Sequence, residues 1–300
     1  MLRELGHPIV RYTHKVLLLL PVVVMLVCPA GVLADETKNF IERWQIGPEW
    51  TGDFDQMVER RLIRVLVVYN KMMFFFDQAR IRGTAYEALR EFEKYINAKL
   101  NTGTRKIKVV FLPVTRDHLL PWLVEGRGDI AVANLTITKN RKKIVAFSRP
   151  LLSDISEIIV TGPTAAPVDG IASLAGKEIH VRFSSSYFEH LNRLNDTFRK
   201  QGREPVSIIA ASEYLEDADL LEMVNAGLIP MVVVDDHKAQ FWAQIFDDIT
   251  LHPDITINTG GKIAWAMRPG SPKLEQIANI YKYFIAYGLA RSKQQTMQAQ

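Results

Sequence analysis

Cysteine is nearly absent from this 300-residue chain, which has only Cys28. A disulfide needs two thiols and a thiolate zinc site needs several, so neither braces the fold within one chain. Charge of one sign is also scarce, since Lys and Arg exceed Asp and Glu by only +4. Arg3, Arg11 and Lys15 against Glu4 supply half of that excess, and the rest of the chain carries about +2. The basic residues are scattered, without the clusters and interleaved aromatics that follow a phosphate backbone, so nucleic acid is not an expected partner. Missing too are G-x-S-x-G, H-E-x-x-H and a phosphate loop, because Gly260-Gly261-Lys262 lacks the spacing of the last. No cofactor or metal is expected, and isolated His118, His180 and His190 are read as packed or surface groups. With 48% hydrophobic and 23% charged residues, the chain can nevertheless bury a sizeable core.

Only one long apolar run is present. Arg3, Arg11, His14 and Lys15 precede the stretch Val16 to Val27, and Val32-Leu33-Ala34 follows with small residues where a signal peptidase cuts. The run of about 12 residues is short of the roughly 20 that span a bilayer. Residues 1–34 are therefore expected to be a cleavable export signal and the mature protein periplasmic; an uncleaved anchor is the other reading. Acylation at Cys28 is disfavoured by bulky Val27 before it and Pro29 after it.

Residues 35–57 are expected to be a lead-in. Beyond it, Arg64 to Tyr69 forms a β-branched run, and Tyr86 to Leu100 has apolar residues at the three-to-four spacing of a helix. Ile107 to Leu112 and Asp129 to Ala133 repeat the strand pattern around a short helix from Asp117 to Glu125. Strand and helix alternate again from Lys177 to Val234, after the aperiodic turn Gly162 to Pro167. Lys262 to Met267 is a further strand, and a closing helix starts at Pro272. Alternation implies an α/β fold with mainly parallel sheets flanked by helices.

Three motifs fall in register within about 30 residues. They are Leu123-Val124-Glu125-Gly126-Arg127-Gly128-Asp129-Ile130, then Thr136-Ile137-Thr138-Lys139-Asn140-Arg141, then Phe147-Ser148-Arg149-Pro150. Their order resembles family 3 of the bacterial extracellular solute-binding proteins, over about Leu62 to Gly288. The segments Leu220 to Pro230, Val233 to His237 and Ala264 to Arg268 further resemble the solute-binding module of the membrane-bound lytic murein transglycosylase F family, without its catalytic domain. The resemblance implies a two-lobed, type II periplasmic-binding fold with a hinge. Lobe 1 would comprise residues 58–160 plus 255–290, lobe 2 residues 165–250, and 291–300 a tail. It implies a monomer that binds a small polar ligand, an amino acid or cell-wall peptide fragment, and performs no chemistry. A transporter, a sensor or a lytic transglycosylase would then be the partner. Two alternatives stay open: the regulatory module of a transglycosylase, and a dehydratase on the same fold.

A zwitterion needs a fixed cation and a fixed anion, since either charge buried alone costs several kcal/mol. Arg141 has the planar fork that grips a carboxylate, and by resemblance the Arg of this motif does so. Asp235, after the strand Met231 to Val234, by resemblance holds an ammonium, with an N-cap as the bland alternative. Asn134 and Thr136 follow a buried strand, where open α/β sheets place ligands, or they close a local turn. Ser184 and Ser185 precede a helix start suited to an anion, although the family's usual Gly is absent. Of Phe74-Phe75-Phe76, one ring, here Phe75, is expected to cover the ligand while core packing takes the others. Expressed in a Gram-negative host, the exported chain is expected to begin at Asp35. Intact-mass measurement of the periplasmic fraction checks this, and a mass retaining residues 1–34 contradicts it.

Overall fold

The computed structural model describes residues 49–281 apart from Ala79. The signal segment, Cys28, most of the lead-in and the 291–300 tail lie outside the described residues. Within them the lead-in ends in α1 (Phe54–Arg60), whose Met57 is fully buried. Order therefore starts earlier than the aperiodic composition suggests, because Trp50 and Phe54 pack on the core. Asp53 accepts from the Phe54 N–H at 2.7 Å and from the Lys273 and Leu274 N–H groups at 3.0 Å. One carboxylate thus serves two helix starts.

The first half contains β1 (Leu62–Val67), the hairpin β2 (Phe75–Asp77) and β3 (Arg80–Arg82), α2 (Thr84–Lys99), β4 (Lys108–Pro113), α3 (Leu119–Val124), β5 (Ile130–Thr136) and β6 (Ala146–Phe147). The long β7 (Leu152–Thr161) leads to β8 (Glu178–Val181), α4 (Ser186–Lys200), β9 (Ser207–Ala210), α5 (Asp217–Asn225), β10 (Met231–Asp235) and α6 (Asp236–Trp242). The eighteen-residue β11 (Thr250–Met267) returns to the first half, and α7 is described over 272–281.

Rather than two separate sheets, one hydrogen-bonded sheet runs β4-β1-β5-β11-β7-β10-β8-β9, with β6 beside β11. β1 is parallel to β4 and β5, and β8 is parallel to β9 and β10. Between these blocks, β7 and β11 run antiparallel and serve both lobes. Both bend at the same level: Gly261 pairs with Ile155, Asp154 and Gly260 have positive φ, and the register slips repeatedly from His252 to Ile263. Slippage of this kind marks where a strand twists away from its ladder.

Alternation along the strands puts core on both faces. In lobe 1, Val65, Val67, Ile130 and Val132 meet Leu89, Phe92 and Trp265, while Leu66, Ala131 and Ala133 meet Leu119 and Leu123. In lobe 2, Met231 and Val233 face Leu191 and Phe198 of α4, and Val232 and Val234 face Leu220 and Leu221 of α5. Strands buried on both faces explain the continuous apolar runs.

The Gly-x-Gly-Asp turn is structural. Gly126 has φ +78, and a Cβ on Gly128 would lie 2.4 Å from Leu66 Cγ. That approach brings Asp129, fully buried, onto the Arg64 N–H at 2.7 Å and Arg64 Nη2 at 3.0 Å; Arg60 also pairs with it, and Arg268 Nη1 lies 3.5 Å away. Asp129 therefore pairs with three arginines from separate segments of the chain. Asp129→Ala, which leaves those arginines buried without it, is expected to cost about 3–5 kcal/mol. Urea unfolding measures the loss, and an unchanged midpoint contradicts the role.

Candidate functional site

Polar groups converge where strand carboxyl ends of the two lobes meet. From lobe 1, Arg116 lies in a 3₁₀ turn after β4, Asn134 and Thr136 end β5, and Arg141 begins a 3₁₀ turn over Arg141–Lys143. From lobe 2, Arg182 to Ser186 join β8 to α4, Asp217 begins α5, and Asp235 joins β10 to α6. Crossover connections in open α/β sheets leave a crevice at this edge. Arg116, Asn134, Thr136, Arg141, Ser185, Asp235 and their neighbours enclose a cavity of about 20 Å³. That is room for about one water, so the lobes are closed.

Closure is made by charged contacts across the gap. Arg116 grips Glu216 through Nε at 2.8 Å and Nη2 at 2.5 Å, while its Nη1 donates to the Ala133 carbonyl at 2.8 Å. Asn70 Nδ2 donates to the same carboxylate at 3.1 Å. Arg141 Nη1 donates to Thr136 O at 2.9 Å in its own lobe, and Nη2 to Ser184 O at 2.8 Å in the other. At the outer edge Glu189 lies 3.7 Å from Arg141 Nε and accepts from Thr138 and Asn140.

On the lobe 2 side, Lys238 follows Asp235 by three residues, one helical turn, so its ammonium folds back onto the carboxylate. Nζ lies 2.7 Å from Asp235 Oδ2, 2.7 Å from Asp217 Oδ2 and 3.3 Å from Tyr187 Oη. Arg182 holds the other Asp217 oxygen at 2.5 Å and donates to Leu215 O at 2.6 Å. Burial works against every charge here, and the partners decide the outcome. Burial pushes Asp217 up, but Lys238, Arg182 and Arg116 hold it well below the carboxylate range. Glu216 is likewise lowered, against burial, by Arg116 and Arg182. Lys238 and Arg116 are raised despite burial by the carboxylates facing them. Arg141 differs: burial lowers it and Glu189 only partly compensates.

The sequence-derived candidates fare unevenly. Arg141, Asp235, Asn134 and Thr136 share the cavity; Asn134 has φ 50, a left-handed kink at the end of β5. Asp235 stands at the N-cap position of α6 with extended backbone, but its side chain accepts no cap hydrogen bond. Ser185 does cap α4: its Oγ accepts from Phe188 N–H at 3.2 Å and donates to Arg182 O at 2.6 Å. The Ser184 hydroxyl donates to Glu213 at 2.5 Å, so both serine hydroxyls are engaged within lobe 2. Phe75 lies in the β2–β3 hairpin and, among the described residues, does not line the cavities that hold Arg116, Arg141 or Lys142. Tyr69, two residues past β1, and Tyr214 of lobe 2 are further aromatics beside the cleft. They border a cavity of about 210 Å³ that shares Arg116 with the small one. Sequence reasoning missed Arg116, Arg182, Asp217 and Lys238; only Lys238, at helical spacing from Asp235, carried a local signal. A larger groove of about 670 Å³ by the hinge, bordered by Thr138, Lys142, Glu189, Arg193, Asn258 and Lys262, contains neither Arg141 nor Asp235. Among the described residues, no cluster has the ligands for a metal ion.

The sequence model of the bacterial extracellular solute-binding proteins, family 3, matches residues 63–281. The chain belongs to that family. Curated relatives of this family member include membrane-bound lytic murein transglycosylase F of Pseudomonas fluorescens, 26% identical over 72% of this chain and 41% of that protein. The protein of the same name from Idiomarina loihiensis is 25% identical over 75% of this chain and 46% of the relative. The chain thus spans less than half the length of these relatives. Among solved structures, an amino acid ABC transporter substrate-binding protein from Streptococcus pneumoniae bound to L-arginine superposes with a TM-score of 0.61. It is 15% identical, covering 80% of this chain and 95% of that one. An ancestral arginine-binding protein bound to arginine gives 0.60 at 22% identity, covering 78% and 96%. These likenesses show the type II binding-protein fold, and the family's description makes the chain a solute-binding protein.

The charged network carries a pH signature. Asp217 and Glu216 ionise at lower pH in the folded protein than at their ordinary 3.8 and 4.5. Their contribution is therefore complete above those values and lost as pH falls through and below them. The melting temperature is expected to drop below about pH 4.5 with a shallower drop in Glu216→Gln; identical acid profiles for the two proteins contradict the arrangement.

Proposed function

We propose that this protein is an exported receptor whose lobes close on a small ligand bearing a carboxylate, an amino acid derivative or a cell-wall peptide fragment. The observation that carries this reading is that Arg141 of lobe 1 and Asp235 of lobe 2 line one cavity, with Asp235 Oδ1 buried and unpartnered among the described residues. Arg141 has five N–H donors, of which two reach the Thr136 and Ser184 carbonyls, leaving others for an anion. Tyr69 and Tyr214 offer ring faces to the remainder of the ligand, over a cavity whose floor is the Arg116–Glu216 pair. Opening about the bends in β7 and β11 admits the ligand, and closure is the signal that a membrane transporter or sensor reads.

A second reading is favoured by the relatives' names: closure reports cell-wall fragments to a lytic murein transglycosylase, with this chain as the sensing module. The chemistry of the cleft is the same in both readings, and only the partner differs. The chain's own role in either is binding.

A thermal-shift screen of residues 35–300 against amino acids, their N-acyl derivatives and cell-wall peptides tests the reading. A ligand at 100 times its dissociation constant is expected to add about 2.7 kcal/mol of stability. Arg141→Ala, still folded by circular dichroism, is expected to lose that gain. A gain that survives in Arg141→Ala overturns the proposed site.

A further inference from the structure

We propose that Lys238 is a built-in substitute for a ligand ammonium, so that the cleft selects a carboxylate neighboured by an amide, an N-acylated amino acid or peptide, over a free amino acid. This deepens the receptor reading and rests on it. An ammonium has three N–H donors and is held by three acceptors around it. Lys238 Nζ already has that set in Asp235 Oδ2, Asp217 Oδ2 and Tyr187 Oη. A ligand ammonium arriving at Asp235 would meet a second cation on the same carboxylate, and Arg182, which holds Asp217 at 2.5 Å, adds a third positive charge nearby. Four cations, Arg116, Arg141, Arg182 and Lys238, line the cavity against the carboxylates of Asp217 and Asp235, with Glu216 behind Arg116 and Glu189 outside Arg141.

Two polar atoms on the lining side chains remain without partners among the described residues. Asp235 Oδ1 is an acceptor and Arg182 Nε is a donor, and both are buried. Buried polar atoms left this way are costly unless something completes them. An amide supplies one N–H and one carbonyl oxygen, the complement of this pair, without adding charge. An ammonium supplies donors and a positive charge but no acceptor. Arg141 then takes the carboxylate with the N–H groups that the Thr136 and Ser184 carbonyls leave over.

The test is calorimetric titration of three matched ligands with one side chain: the free amino acid, its N-acetyl derivative, and the 2-oxo acid, which has the carboxylate but neither amide nor ammonium. The native protein is expected to bind the N-acetyl form at least about tenfold more tightly than either of the others. Lys238→Met, which bares Asp235, is expected to reverse the order of the N-acetyl and free forms. If the free amino acid binds the native protein as well as the N-acetyl form does, the assignment of Lys238 fails while the receptor reading stands. If none of the three binds, both fail. Should Lys238→Met not fold, the native ranking alone decides.

Discussion

The two lobes are joined by buried charges that satisfy one another. Arg116 reaches across to Glu216 and Arg141 donates to a carbonyl in each lobe, while within lobe 2 Lys238 and Arg182 hold Asp217 between them. Such groups tolerate removal from water only because each meets an opposite charge or an oriented carbonyl; taking one partner away strands the other.

The elements that present these groups are anchored in packed cores. Strands covered on both faces by apolar side chains end at the cleft, and the polar side chains are carried on the turns just beyond them. Asp129, at the start of β5, gathers the arginines of neighbouring segments and holds β1 and the end of β11 beside it. β7 and β11 alone run through both lobes, and there Gly260, Gly261 and the left-handed Asp154 interrupt the ladder. Two interrupted strands thus form the hinge of this fold.

Periodicity made most of the fold readable. α2 and α4 each present a stripe of buried residues at helical spacing, and β1, β5 and β10 are apolar runs bounded by turns. β7 and the first part of β11 escaped, because Leu152-Ser153-Asp154 and His252-Pro253-Asp254 are exposed or irregular where the strands cross between lobes. The position of Phe75 in the β2–β3 hairpin was equally illegible. Three adjacent phenylalanines carry no information about which one a short hairpin turns inward, and it is Phe74 that reaches the core.

The sequence by itself determined the alternation of strand and helix, the apolar faces, the registered motifs and, through them, the family, because each of these depends on neighbours close along the chain. It also singled out Arg141 by its place in a registered motif and Asp235 by its place after a buried strand. Only the tertiary structure decided that Arg116, Arg182, Asp217 and Lys238 share their cavity, and that Ser184 and Ser185 are engaged within their own lobe. Charges as far apart in the chain as Arg116 and Glu216 become partners through the packing of whole lobes, and no local pattern encodes the depth at which water is excluded between them.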